Sequence, residues 1–310
     1  MMRQFVMRAA GRMLGWRSSL NILRTLTPVL VRNRLAIGAG GGTTLAFSLF
    51  GATRKDTNKC CPEVPNFDTV IREADTLYDT YLIDNAYNIL RKYEKSTCSE
   101  LLWRLTRVLC EKGKLSNYQT KKKEYILKAY EVVVRAVELE PSEGCFGAHK
   151  WIAILLDYVG EIEGTKARIA KSYEVRKHLE RAIQINPSDA TTWHILGVWH
   201  FTFADMSSMT RLAASAIFGT PPSSTYEQAL EHFLKAEQIQ ANFYSTNTFY
   251  IGEVYSRLGD SQGALKFFRR AFSMPIITAD DQQTHAKAHE RLKKLKVSDS
   301  ELISTPQLVR

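Results

Sequence analysis

Apolar and small residues recur at three- and four-residue intervals across residues 66–295, a spacing that lines one face of a helix. The pattern itself repeats. In the last copy Ile251 and Gly252 are followed by Tyr255, then Ala264, Phe268 and Ala271, with Pro275 behind them. The copy before it has Trp193, Leu196, Gly197 and His200, then Ala229, Phe233 and Ala236. Another has Trp151, Ile154 and Tyr158, then Leu179, Ala182 and Pro187. A fourth has Trp103 and Cys110, then Ala129, Val133, Ala136 and Pro141. A fainter first copy places Ala74, Leu77, Ala86 and Leu90 at compatible positions.

The order of small and large residues predicts two antiparallel helices per copy. Glycine and alanine permit close approach, aromatics fill the space between, and proline ends the second helix. One pair cannot bury its apolar face alone, so pairs stack. The spacing is that of a tetratricopeptide unit. The expected fold is all-α, a tetratricopeptide-like superhelix over residues 66–295, with a tail at 296–310. Trp103, Trp151 and Trp193 occupy matching positions and are expected in the core. Strand signals are confined to short β-branched runs at 132–134 and 276–277.

The second copy from the end departs from this spacing. Gly197 to Ala229 is 32 residues, against 12 from Gly252 to Ala264, so 20 extra residues separate its helices. Within them Met206, Met209, Leu212, Ala213, Ala216 and Ile217 fall on one helical face. Ser224 with Glu227 is the expected capping box of the next helix. The extra helix is expected either to cover the repeat stack or to offer Met206, Met209, Leu212 and Ile217 to an apolar cavity or a membrane.

Charge divides the chain in two. Residues 1–55 contain nine basic side chains and no acidic one; subtracting from the totals of 42 and 32 leaves 33 basic and 32 acidic groups in residues 56–310. Residues 1–34 have the arginine-rich, acid-free composition of a mitochondrial transit peptide. Residues 35–53 carry no charge, long enough to span a bilayer but rich in glycine. A targeting segment, a membrane anchor and a basic tail without an address all fit 1–55, with 56–65 as linker.

Within the near-neutral body, three basic clusters stand out. Residues 104–128 hold eight cations against Glu111 and Glu124, a net of +6. Residues 166–181 hold six against Glu174 and Glu180, a net of +4. Lys287, Arg291, Lys293, Lys294 and Lys296 face only Glu290. Lys121, Lys122, Lys123, Lys166, Arg168 and Lys171 are the expected contacts for an acidic polypeptide or an anionic headgroup.

Chemistry-bearing motifs are scarce. His285 and His289 share a helical face but lack a third ligand and the intervening glutamate of a metalloprotease. Gly38 and Gly40 lack the lysine and preceding strand of a phosphate loop. His194 and His200 lie inside a repeat helix and are expected to pack. No nucleophile motif or paired catalytic carboxylate occurs. The five cysteines lack C-x-x-C spacing. The expectation is a non-catalytic interaction protein with no metal or cofactor. A basic nucleic-acid-binding motif is also missing from the body, so nucleic acid is not an expected partner.

Five segments carry a family likeness: Glu100-Leu101-Leu102-Trp103-Arg104-Leu105, Ala148-His149-Lys150-Trp151, Phe203-Ala204-Asp205-Met206, Asn242-Phe243-Tyr244 and, most specifically, Thr220-Pro221-Pro222-Ser223-Ser224-Thr225-Tyr226-Glu227. With them the chain resembles the regulator of microtubule dynamics family over residues 66–295. The resemblance implies a protein of cytoplasm, microtubules and spindle poles that influences microtubule dynamics and chromosome segregation. It also implies an alternative, since a related member sits at the outer mitochondrial membrane, binds phospholipid and joins organelles through a phenylalanine-containing motif. No such motif is found here. The family offers no catalytic residue to carry over.

Overall fold

The computed structural model describes residues 67–303. Thirteen α-helices and one short 3-10 turn make up that span, with no strand among the described residues. They are α1 (Asp68–Asp79), α2 (Ile83–Leu90), α3 (Ser99–Leu115), α4 (Gln119–Glu138), α5 (Phe146–Glu163), α6 (Thr165–Ile185) and α7 (Ala190–Ala204). Then follow α8 (Ser208–Phe218), α9 (Tyr226–Ile239), α10 (Ser245–Arg257), α11 (Ser261–Ser273), α12 (Ala279–Lys294) and α13 (Asp299–Ile303). The leader expected over 1–55 and the linker over 56–65 lie outside the described residues.

The helices pair as α1 with α2, α3 with α4, α5 with α6, α7 with α9, and α10 with α11. Each pair then packs on the next through contacts such as α4 on α5 and α9 on α10, and α12 closes the far end. This is the stacked-pair architecture that the periodicity predicts, and the all-α repeat expectation holds.

The small-large rule has a direct geometric cause. A Cβ on Gly197 would lie 2.7 Å from Phe233 Cδ1, and a Cβ on Gly252 would lie 2.7 Å from Phe268 Cδ1. Both aromatics therefore seat on bare backbone of the partner helix, in equivalent places in two units. Ala229, Phe233 and Ala236 are buried at i, i+4 and i+7 along α9. The prolines also act as expected: Pro141, Pro187 and Pro275 each follow the end of a second helix by two or three residues. The 132–134 valine run lies inside α4, where tertiary packing overrides its β preference.

α7 is buried on nearly every side, because α6, α9 and α10 all pack around it. Trp199 on α7 is the largest fully buried side chain among the described residues, a position the repeat signature does not single out. Trp151 is buried as expected. Trp103 and Trp193 are half-buried instead. The Trp103 ring lies against the bare backbone of Gly147 and beneath the Arg104 guanidinium, 4.2 Å from the ring centroid.

Two boundaries differ from expectation. The cap of α9 is Thr225 with Gln228, not Ser224 with Glu227. The helix starts one residue later because the Ser224 hydroxyl meets His200 Nδ1 at 2.6 Å. The segment expected to be a tail from 296 packs as far as α13: Val297 and Leu302 are buried beside Leu292 and Phe268.

Candidate interaction surfaces

Many of the basic residues counted along the sequence are held in ion pairs. In the 104–128 cluster, Arg104 donates to both oxygens of Asp75, each at 2.9 Å, and Arg107 joins the same carboxylate. Lys112 reaches Asp84 on α2. Lys114 is buried against buried Glu111 at 3.0 Å, and Lys128 pairs with Glu94 at 3.2 Å. Arg104, Arg107 and Lys112 tie α3 to α1 and α2, Lys128 ties α4 to the segment before α3, and the Lys114–Glu111 pair lies within α3. What remains is Lys121, Lys122 and Lys123, within the first five residues of α4. Lys121 and Lys123 are exposed and Lys122 is half-buried. Lys121 Nζ lies 5.7 Å from the Tyr118 ring centroid. The structure brings these three candidates together as one group with no ion-pair partner among the described residues.

The second set of candidates divides. Arg168 clamps the buried carboxylate of Asp157 through two hydrogen bonds, 2.7 and 3.0 Å. It joins α6 to α5 and is not a free surface charge, which corrects its expected role. The reason is its place next to Gly160, whose bare backbone comes within contact of the Arg168 Cα. Lys171 pairs with Glu163 at 3.3 Å. Lys166 alone of this set stands exposed without an ion pair among the described residues. In the third cluster Arg291 pairs with Glu253 and Lys294 with Glu290. Lys287 is half-buried in the seam between α10 and α12, and burial lowers its pKa.

The insertion forms α8, capped by Ser207, which accepts from the Thr210 N–H. α8 packs on α6, and Tyr173 of α6 donates to the Thr220 carbonyl at 2.9 Å. The buried side of α8 is not the apolar face read from the sequence. Ala214 is buried, while Met209 and Leu212 are 71% and 73% exposed and Ile217 is 50% exposed. Met206 precedes the helix and packs against the main core. The expectation that this apolar face covers the stack is therefore corrected. Arg211 explains the orientation. Its guanidinium turns inward and donates to the carbonyls of Phe203, Pro221 and Pro222. That anchors the loop and leaves the opposite face outward.

Sequence reasoning missed a second exposed apolar group. Tyr81 and Leu82 in the turn after α1, and Leu115 and Tyr118 between α3 and α4, are 40%, 50%, 50% and 68% exposed. The only signal was their position in turns, where the repeat signature makes no demand.

The buried polar groups form structural pairs. His149 and His178 share a hydrogen bond between their Nδ1 atoms at 2.8 Å, and Glu140 lies 3.0 Å from His149 Nε2. Burial lowers both histidine pKa values, that of His178 to about 4. His194 bonds Asn247 at 2.9 Å and His200 stacks on His232. Both also titrate at about 4, again chiefly through burial. Their packing role matches expectation. His285 and His289 stack on Phe272. Cys110 and Cys145 are buried, with thiol pKa values pushed up to about 11, chiefly by burial. Such thiols are poor nucleophiles at neutral pH. Among the described residues no group of three or more His, Cys, Asp or Glu side chains is placed to hold a metal ion.

The stacked helix pairs define a helical-repeat protein. The family described as "Regulator of microtubule dynamics protein 1-3" matches residues 70–296. Regulator of microtubule dynamics protein 1 of Pongo abelii is 40% identical over 226 residues, covering 73% of this chain and 71% of that protein. Regulator of microtubule dynamics protein 2 of Mus musculus is 31% identical over 232 residues, covering 74% and 56%. A crystal structure of a thermophilic TPR protein in Thermus thermophilus aligns with a TM-score of 0.47 and 15% identity, covering 72% of this chain and 98% of that one. The chain belongs to the regulator of microtubule dynamics family.

Proposed function

We propose that this protein is a non-catalytic interaction scaffold that binds microtubules directly and regulates their dynamics, at the spindle as well as in the interphase cytoplasm, with an effect on chromosome segregation. The observation that carries the reading is the lysine group at the start of α4. Among the described residues Lys121, Lys122 and Lys123 have no ion-pair partner, where the other cations of their cluster are held by carboxylates. Three consecutive lysines at the start of a helix oppose the helix dipole and repel one another, an arrangement an acidic partner relieves. Tubulin offers such an acidic surface, and the relatives' names support a microtubule role.

Co-sedimentation of the full chain with assembled microtubules tests this. Binding should weaken as salt is raised, because exposed charges are screened. Reversal of Lys121, Lys122 and Lys123 to Glu should weaken it further. Binding that ignores both salt and charge reversal would overturn the reading.

A second reading has one observation in its favour. The outward apolar face of α8 suits a membrane-associated phospholipid-binding or organelle contact-site protein, at the mitochondrion if the leader is an address. Native mass spectrometry of the purified protein tests it: co-purified phospholipid supports it, and a lipid-free mass counts against it.

A further inference from the structure

Each helix pair is antiparallel and successive pairs stack side by side, so the turns inside the pairs fall along one edge. The α1–α2 turn, the α3–α4 turn, the α5–α6 turn and the inserted α8 all belong to it. Two outward apolar groups stand there. One is Tyr81, Leu82, Leu115 and Tyr118; the other is Met209, Leu212 and Ile217. We infer that this edge is a docking surface for a bilayer containing anionic lipid, touched at both groups at once.

Three observations support that occupant. The first is how the apolar groups are held. Tyr81 has φ +62, a left-handed backbone that a side chain bearing Cβ disfavours and glycine would take freely. Its hydroxyl donates at 2.9 Å to Glu111, a buried carboxylate fixed by Lys114. The structure thus holds an aromatic ring at a turn where a strain-free residue would expose none. On α8, Arg211 turns inward and leaves the apolar face free.

The second is charge. Residues 206–226 contain no carboxylate. Lys121, Lys123 and Lys166 stand exposed along the same edge. Its carboxylates are largely engaged: Asp84 by Lys112, Glu163 by Lys171, and Asp205 by Arg257 and the Tyr226 hydroxyl. Glu124 beside the triad, Glu161 at the end of α5 and Asp260 in the α10–α11 turn are further exposed carboxylates there. Apolar tips beside Lys121, Lys123 and Lys166 complement an anionic membrane, where apolar burial and charge attraction add.

The third is shape. These side chains project from turns and from one helix face. The pocket lined by Thr246, Phe249 and Lys287 lies elsewhere, between α10 and α12. Tips spread over two separated sites meet a broad, deformable surface better than a single peptide strand. This extends the membrane-associated reading and does not require a lipid carried inside the body.

The test is flotation of the full chain with vesicles of phosphatidylcholine alone and of phosphatidylcholine with phosphatidylserine. Two double variants disrupt the edge, Met209→Asp with Leu212→Asp, and Leu82→Asp with Tyr118→Asp. A third, Ile276→Asp with Ile277→Asp, alters two exposed apolar residues in a turn between successive pairs, on the opposite edge, and serves as control. Thermal melts establish that each variant folds. The expected result is binding to phosphatidylserine vesicles that each edge variant lowers about tenfold and the control leaves unchanged. If the unaltered protein and the edge variants float equally, the edge docking is overturned while membrane association stands. If the unaltered protein does not float at all, both fall. Loss of glutamate-rich peptide binding in the edge variants, with vesicle binding intact, would identify an acidic polypeptide and overturn the bilayer.

Discussion

The ring of Phe233 rests against the bare Cα of Gly197, where an added Cβ would come within 2.7 Å of Phe233 Cδ1. Because the ring is fully buried, it has no room to withdraw. Gly197→Ala should therefore destabilise the protein by about 1–3 kcal/mol through overpacking. Chemical denaturation measures it. An unchanged midpoint would mean that α7 and α9 separate more readily than their packing indicates.

The paired and unpaired cations should separate in mutagenesis. Arg168→Met strands the buried Asp157 carboxylate and should cost about 3–5 kcal/mol. Lys121→Glu alters an exposed side chain without an ion pair and should stay within about 0.5 kcal/mol. Melting curves of the two variants, measured side by side, check this. The same comparison shows whether lost microtubule binding reflects contact or unfolding.

Acid should unfold this protein earlier than its carboxylates alone would require. His178, His194 and His200 titrate at about 4 in the folded chain, against an ordinary value of 6.5. The folded state keeps them neutral while the unfolded chain takes up protons. Their contribution is thus complete above pH 6.5 and is lost as pH falls toward about 4. Denaturation midpoints should drop across that window. His194→Gln should start lower at neutral pH yet show a shallower drop, since it removes one such group.

The two sides of α8 should respond oppositely. Leu212→Glu places a charge in solvent and should shift stability by no more than about 0.5 kcal/mol. Ala214→Leu forces volume between α8 and α6 and should destabilise by about 1–3 kcal/mol. Equal effects at both positions would contradict the orientation set by Arg211.

Much of the fold was legible because its determinants are local and repeat. Gly197 with Phe233 and Gly252 with Phe268 are the same contact made twice, and recurrence makes the spacing visible in one chain. The prolines after α4, α6 and α11 end helices through their own covalent geometry. The interaction surface was less legible. The 104–128 cluster counts as eight cations against two acids along the sequence. Its neutralising carboxylates Asp75, Asp84 and Glu94 lie on earlier segments, and folding brings them in. Periodicity likewise found the apolar face of α8 but not which way it faces. That direction depends on Arg211 reaching three backbone carbonyls that converge only in the folded chain. The sequence by itself thus determined the helix pairs, their number and the odd inserted helix, because short-range sterics and burial dictate them. The tertiary structure decided which charges and which apolar residues are left for a partner, because a side chain's freedom depends on neighbours distant along the chain.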